Sequence, residues 1–219
     1  MTAQHHLDRA TILRFASGDL DEAFAVIVAS HIAMCPSCRR AVEDAESIGG
    51  QLLEESEQVP MSAMSFDQMM QRIEVDGSAM EARQGSEAPA NCDVPKPLRR
   101  HIGNSLDQIS WSSVAPGLKR HSIELGGRSA SSLYLLRIAA GKAVPEHGHG
   151  GSEMTLVLSG KYRDALGVFG PGDIEDLDEH IEHQPKVEPE EACICLVATE
   201  APTRFKGFFS RMLQPLVGI

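Results

Sequence analysis

Two sets of metal-type donors lie far apart in this 219-residue chain, each on a different kind of backbone. The first reads His31-x3-Cys35-x2-Cys38, with His5-His6 near the start. The second reads Gly141-x5-His147-x-His149-x3-Glu153-x6-Gly160. The first lies among apolar residues at helical spacing: Leu20, Phe24, Ile27, Val28, His31 and Ile32 recur every three or four positions. The second lies among short β-type runs, Ser132 to Ile138, Met154 to Leu158, Ala192 to Ala198 and Phe205 to Phe209, separated by Gly, Pro and Asp turns. Residues 84–97 hold three prolines and little apolar content and read as a linker, with Cys92 exposed in it. The expected fold class is therefore multidomain α + β. A small helical bundle spans 1–83, the linker 84–97, and a β-barrel or sandwich 98–219.

Local signals place the first donors. Gly18 interrupts the helical pattern, and Asp19 or Asp21 can cap the next helix. Pro36 suits the first turn of the helix after that, with Cys35 as its cap. Further helical stretches run through Ala41 to Leu53, weakened by Gly49-Gly50, and from about Phe66 to Val75. His31 and Cys35 then share a helix end and Cys38 follows one turn later. One imidazole and two thiolates, completed by His5 or His6, form a His2Cys2 set suited to tetrahedral zinc. A redox role for Cys-Pro-x-Cys expects a strand–helix context, and here the motif joins two helices.

Composition excludes some classes. A net charge of −11 argues against a direct nucleic-acid partner. Residues 1–85 carry 14 acidic and 6 basic residues, so this part holds most of the excess and suits a basic protein partner. No apolar run approaches the ~18 residues of a membrane span, and no signal peptide is visible. Five cysteines form no dispersed disulfide framework, and a cytoplasmic chain with reduced or metal-bound thiols is expected. Cys193 and Cys195 share a strand face, at positions ~6–7 Å apart by strand rise, and read as small hydrophobes or as an oxidisable pair.

His31, Cys35 and Cys38, with His6 upstream, resemble the zinc-binding anti-sigma factor family. The second set matches the first cupin motif, in which His147 and His149 share a face of an extended segment, Glu153 opens the next strand and Gly160 turns the hairpin. This resemblance implies a cupin barrel or jelly roll and a fourth ligand from the second cupin motif. That motif departs here, reading Gly170-Pro171-Gly172-Asp173; His183 is the chosen ligand and His180 the runner-up. A His3Glu set accepts zinc or another divalent transition metal.

The whole chain, including Cys193-x-Cys195 and the Arg211 to Pro215 stretch, resembles the ChrR-type family of cupin-bearing zinc anti-sigma factors. The resemblance implies a regulator, not a catalyst. Its N-terminal part sequesters an extracytoplasmic-function sigma factor and releases it under oxidative stress of the singlet-oxygen kind, sensed through the cupin. Phe15, Phe24, Ile27 and Val28 are candidates for the sigma-docking face. The competing class is a metal-dependent cupin enzyme, dioxygenase- or isomerase-like, with Tyr162, Arg163 and Arg137 as accessory polar groups. A third reading is a metal sensor.

Overall fold

A computed structural model of the chain describes residues 3–62, 64–81, 92–126, 129–202 and 204–205. Four helices come first: α1 (Arg9–Ala16), α2 (Glu22–Met34), α3 (Pro36–Glu54) and α4 (Ser65–Glu81). Their starts follow local chemistry. Asp8 Oδ1 accepts from Thr11 N at 2.7 Å, and Asp21 Oδ1 accepts from Ala23 N at 3.2 Å. Cys35 caps α3, with Pro36 in its first turn. Gly49 and Gly50 do not interrupt α3, which runs on to Glu54.

A 3-10 turn (Lys96–Leu98) and the short α5 (Arg99–Ile102) lead into the strands. These are β1 (Ser112–Ala115), β2 (Leu118–Ile123), β3 (Ser132–Ile138), β4 (His147–Gly148), β5 (Glu153–Ser159), β6 (Tyr162–Arg163), β7 (Val168–Phe169), β8 (Ile174–Leu177), β9 (Glu182–His183), β10 (Lys186–Val187), β11 (Cys193–Thr199) and β12 (Arg204–Phe205). Among the described residues the largest sheet has six strands in the order β1-β2-β3-β11-β5-β8. Two three-stranded sheets, β10-β6-β7 and β12-β4-β9, complete the sandwich, and the strand pairs are antiparallel. The runs anticipated at β3, β5 and β11 are present. Of the run anticipated from Phe205 to Phe209 only Phe205 is described; the rest, the Arg211 to Pro215 stretch and linker residues 84–91 lie outside the described residues.

The central strands of the large sheet are buried on both faces. Along β11, Cys193, Cys195 and Val197 point into the sandwich, while Leu196 and Ala198 join a second cluster on the opposite face. Strand β3 divides the same way, with Tyr134 and Ile138 inside and Leu133 and Leu135 outside. Helix α2 covers that outer face. Its Phe24, Ile27 and Val28 share one buried cluster with Leu135, Leu156 and Leu196. This explains why α2 is apolar at nearly every position: one side meets the sheet and the other meets helical neighbours.

Three features follow from this packing. The helical part and the barrel contribute to one buried hydrophobic cluster. Residues 92–97 are not an open linker, since Val94 is buried in that core together with Leu98, and Cys92 is half-buried, its Sγ 3.1 Å from Asn104 O. Phe24, Ile27 and Val28 are at most 5% exposed, so in this arrangement they hold the sheet and do not form an open docking face. No helix is long and apolar enough to cross a membrane among the described residues.

Candidate metal centres

The first donor cluster forms where α2 ends and α3 begins. His6, His31, Cys35 and Cys38 bring one ligand atom each within 4.8 Å of one another. His6 Nδ1 lies 3.3 Å from Cys35 Sγ and 3.6 Å from Cys38 Sγ. The geometry thus separates the two N-terminal histidines, because the His5 ring turns away and stacks on Phe169 at 4.1 Å. Fully buried His31 lies 2.9 Å through Nδ1 from the carbonyl of Gly172, on the barrel. A carbonyl only accepts, so Nδ1 carries the proton and Nε2 keeps its lone pair. That Nε2 has no hydrogen-bond partner, which is costly for a buried nitrogen unless a cation fills the gap. Burial holds His31 down to a pKa of about 4, a neutral ligand at pH 7. Burial also pushes the Cys38 thiol up to about 11, so an arriving cation must displace its proton.

The second cluster lies at one end of the sandwich. His147, His149, Glu153 and His183 are all buried and bring one ligand atom each within 4.8 Å of one another. Adjacent strands supply them, for β4 pairs with β9 so that His147 faces His183. His147 Nδ1 donates to Pro145 O at 2.8 Å, and His183 Nδ1 donates to Asp164 Oδ2 at 2.9 Å. Their Nε2 atoms then face each other at 3.1 Å. Both nitrogens of His149 lack a hydrogen-bond partner, although Nδ1 is 3.3 Å from Glu153 Oε2. Three converging imidazoles, with both ring nitrogens of His149 orphaned, fit a bound cation. The runner-up His180 is exposed beside Glu179.

Outer groups tune this cluster. Burial opposes the charged form of His183, but the Asp164 and Glu175 carboxylates outweigh it and raise its pKa to about 9. Burial holds His147 down to about 4. Tyr162 donates to Glu175 Oε2 at 2.7 Å, and burial raises the Glu175 pKa. Sequence reasoning missed Asp164 and Glu175. The one available signal was the Asp164–Gly167 turn, whose aspartate accepts backbone N–H bonds from Leu166 and Gly167. Of the polar groups considered for catalysis, Arg163 is paired with Glu188 at 2.6 Å and Arg137 lies on β3. The cavity beside the cluster measures about 40 Å³, room for only about three water-sized molecules. Cys195 lines it, and its sulfur lies 3.5 Å from that of Cys193, closer than strand spacing alone suggests.

Phe15 is partly buried and lines a groove with Lys96 and Arg100. Among the described residues the large apolar side chains left open include Ile48, Leu52 and Leu53 on α3, and Phe66, Met69, Met70 and Ile73 on α4.

Comparison with known proteins agrees with this architecture. Residues 99–202 match the family model described as the ChrR Cupin-like domain. Over its full length the chain is 38% identical to the anti-sigma-E factor ChrR of Cereibacter sphaeroides, also covered in full. The crystal structure of Rhodobacter sphaeroides SigE in complex with the anti-sigma ChrR superposes with a TM-score of 0.74 at 37% identity, covering 90% of this chain and 99% of that one. The chain therefore belongs to the ChrR family of cupin-bearing anti-sigma factors.

Proposed function

We propose that this chain is an anti-sigma factor: it sequesters an extracytoplasmic-function sigma factor through its helical part and releases it when an oxidant alters the cupin metal site. Zinc is the ion best suited to His6, His31, Cys35 and Cys38, and zinc or another divalent transition metal suits His147, His149, Glu153 and His183. The first ion would pin the N-terminal segment and α2 to α3. The second would hold β4, β5 and β9 together. Action is expected in the cytoplasm, where sigma factors meet RNA polymerase. Cys193 and Cys195 serve here as packing residues of the barrel interior.

One observation carries the partner reading. Phe66, Met69, Met70 and Ile73 recur at helical spacing and form an exposed apolar stripe on α4. Such a stripe fits the helix-in-groove mode of recognition. Acidic residues along and before α4, Glu54, Glu55, Glu57, Asp67 and Glu74, complement a basic partner, as a DNA-binding sigma factor must be. The stripe replaces Phe24, Ile27 and Val28 as the docking candidate, and Phe15 remains beside α2 as a peripheral one. The test is binding of the full chain to the sigma factors of its own organism. Phe66→Asp with Ile73→Asp should weaken capture at least about a hundredfold while leaving the melting temperature within 2–3 °C of the parent, as expected for exposed sites. Unchanged capture by that variant rejects the stripe, and no capture by the parent rejects the anti-sigma reading.

A further inference from the structure

The hairpin of β6 and β7 touches both donor clusters. At its turn, Asp164 holds His183 Nδ1 at 2.9 Å. On β7, the carbonyl of Val168 accepts from His5 Nε2 at 3.1 Å, and the Phe169 ring stacks on the His5 ring. Phe169 also stacks on Tyr162 with centroids 5.0 Å apart. The Tyr162 hydroxyl donates to Glu175, whose Oε2 lies 3.6 Å from His183 Nδ1. His5 adjoins the ligand candidate His6 in the chain. The turn after β7 completes the junction: Asp173 Oδ1 accepts the backbone N–H groups of Gln4 and His5, and Gly172 O accepts from His31 Nδ1.

We propose that this hairpin and the turn at 170–173 couple the two clusters, so that losing the ion at His147, His149, Glu153 and His183 loosens zinc at His6, His31, Cys35 and Cys38. The proposal rests on the metal reading above. Its physical basis is a chain of stacked rings and short hydrogen bonds between one ligand set and the other. Removing the cupin ion trades a metal bond on His183 Nε2 for a hydrogen bond to His147 Nε2, 3.1 Å away. The shift of His183 that accompanies this exchange passes through Asp164 and Glu175 to the hairpin, and through the hairpin to His5 and its neighbour His6. Linkage makes the effect reciprocal: zinc at the thiols must tighten the cupin site by the same factor. A coupling of ordinary size is about tenfold.

The test uses the full chain loaded with cobalt(II). Its thiolate-to-metal absorption reports the Cys35–Cys38 cluster alone, because the four cupin donors include no sulfur. A chelator is added and the decay of that band is timed. The parent is compared with His147→Ala/His149→Ala, and both are repeated with His5→Ala. His5 is only half-buried and lies outside the barrel core. Emptying the cupin cluster should speed the decay about tenfold in the parent background and leave it unchanged in the His5→Ala background. Equal decay with the cupin cluster filled and emptied overturns the coupling. A tenfold effect that survives His5→Ala overturns the route through the hairpin. A parent that shows no thiolate band overturns the metal reading itself.

Discussion

Ile27 tests whether the helices and the barrel share a core. It has no exposed surface and belongs to the cluster that joins α2 to β3, β5 and β11. Ile27→Ala removes three carbons, about 2.4 kcal/mol of transfer free energy at about 0.8 kcal/mol each. The hole between a helix and a sheet closes poorly, and the total should reach about 3 kcal/mol. With a urea slope of about 3 kcal/mol/M the unfolding midpoint falls by about 1 M. The sole tryptophan, Trp111, lies just before β1 and packs against the same cluster, so its fluorescence reports the barrel from far along the chain. Circular dichroism reports the helices. Both signals should shift together by the full amount. A helix transition that moves while the Trp111 midpoint stays fixed refutes the shared core.

Three further outcomes are expected. Gly160→Ala places a Cβ 2.4 Å from Ala192 O at a φ of +73°; the left-handed conformation alone costs about 1–2 kcal/mol, and with the clash the melting temperature should fall by more than about 6 °C in a thermal scan. In the metal-free protein His183, raised to about 9, is protonated at neutral pH. An arriving cation must expel that proton, so cupin metal affinity in competition titrations should rise about tenfold per pH unit from 7 to 9 and then level off; a flat profile would remove His183 from the ligand set. Replacing Cys35 and Cys38 by serine should lower the metal content from about two ions per chain to about one by elemental analysis, with the remaining ion at the cupin cluster.

The sequence exposed what depends on short-range spacing. The Asp21 cap, Pro36 in the first turn of α3 and the short apolar runs of β3 and β11 each follow from neighbours in the chain. The donor clusters were legible for the same reason, since His31 to Cys38 and His147 to Glu153 sit within a few residues of each other. Three long-range features were not legible. Strands of two residues, such as β6, β7 and β9, are too short to show any period. Asp164 and Glu175 meet His183 only through sheet pairing and the hairpin turn. The role of α2 was open to misreading because an apolar helix face looks the same whether it awaits a partner or already covers a sheet. The stronger clue was that α2 is apolar on nearly all sides, and that both alternating sets of β11 are apolar too, which calls for a cover on each face.

Helix α4 has a consequence for the strength of any capture it performs. From Phe66 to Glu74 its side chains are exposed, so little tertiary packing supports that stretch. A lone helix of this length is marginal in water, and its helical content follows intrinsic propensity. Part of the contact free energy then goes into winding the segment, and substitutions that touch no partner atom still tune the dissociation constant. Gly77→Ala, worth about 1 kcal/mol of propensity, should slow escape of the captured factor several-fold. Release kinetics are thus written partly into a helix's own coil equilibrium.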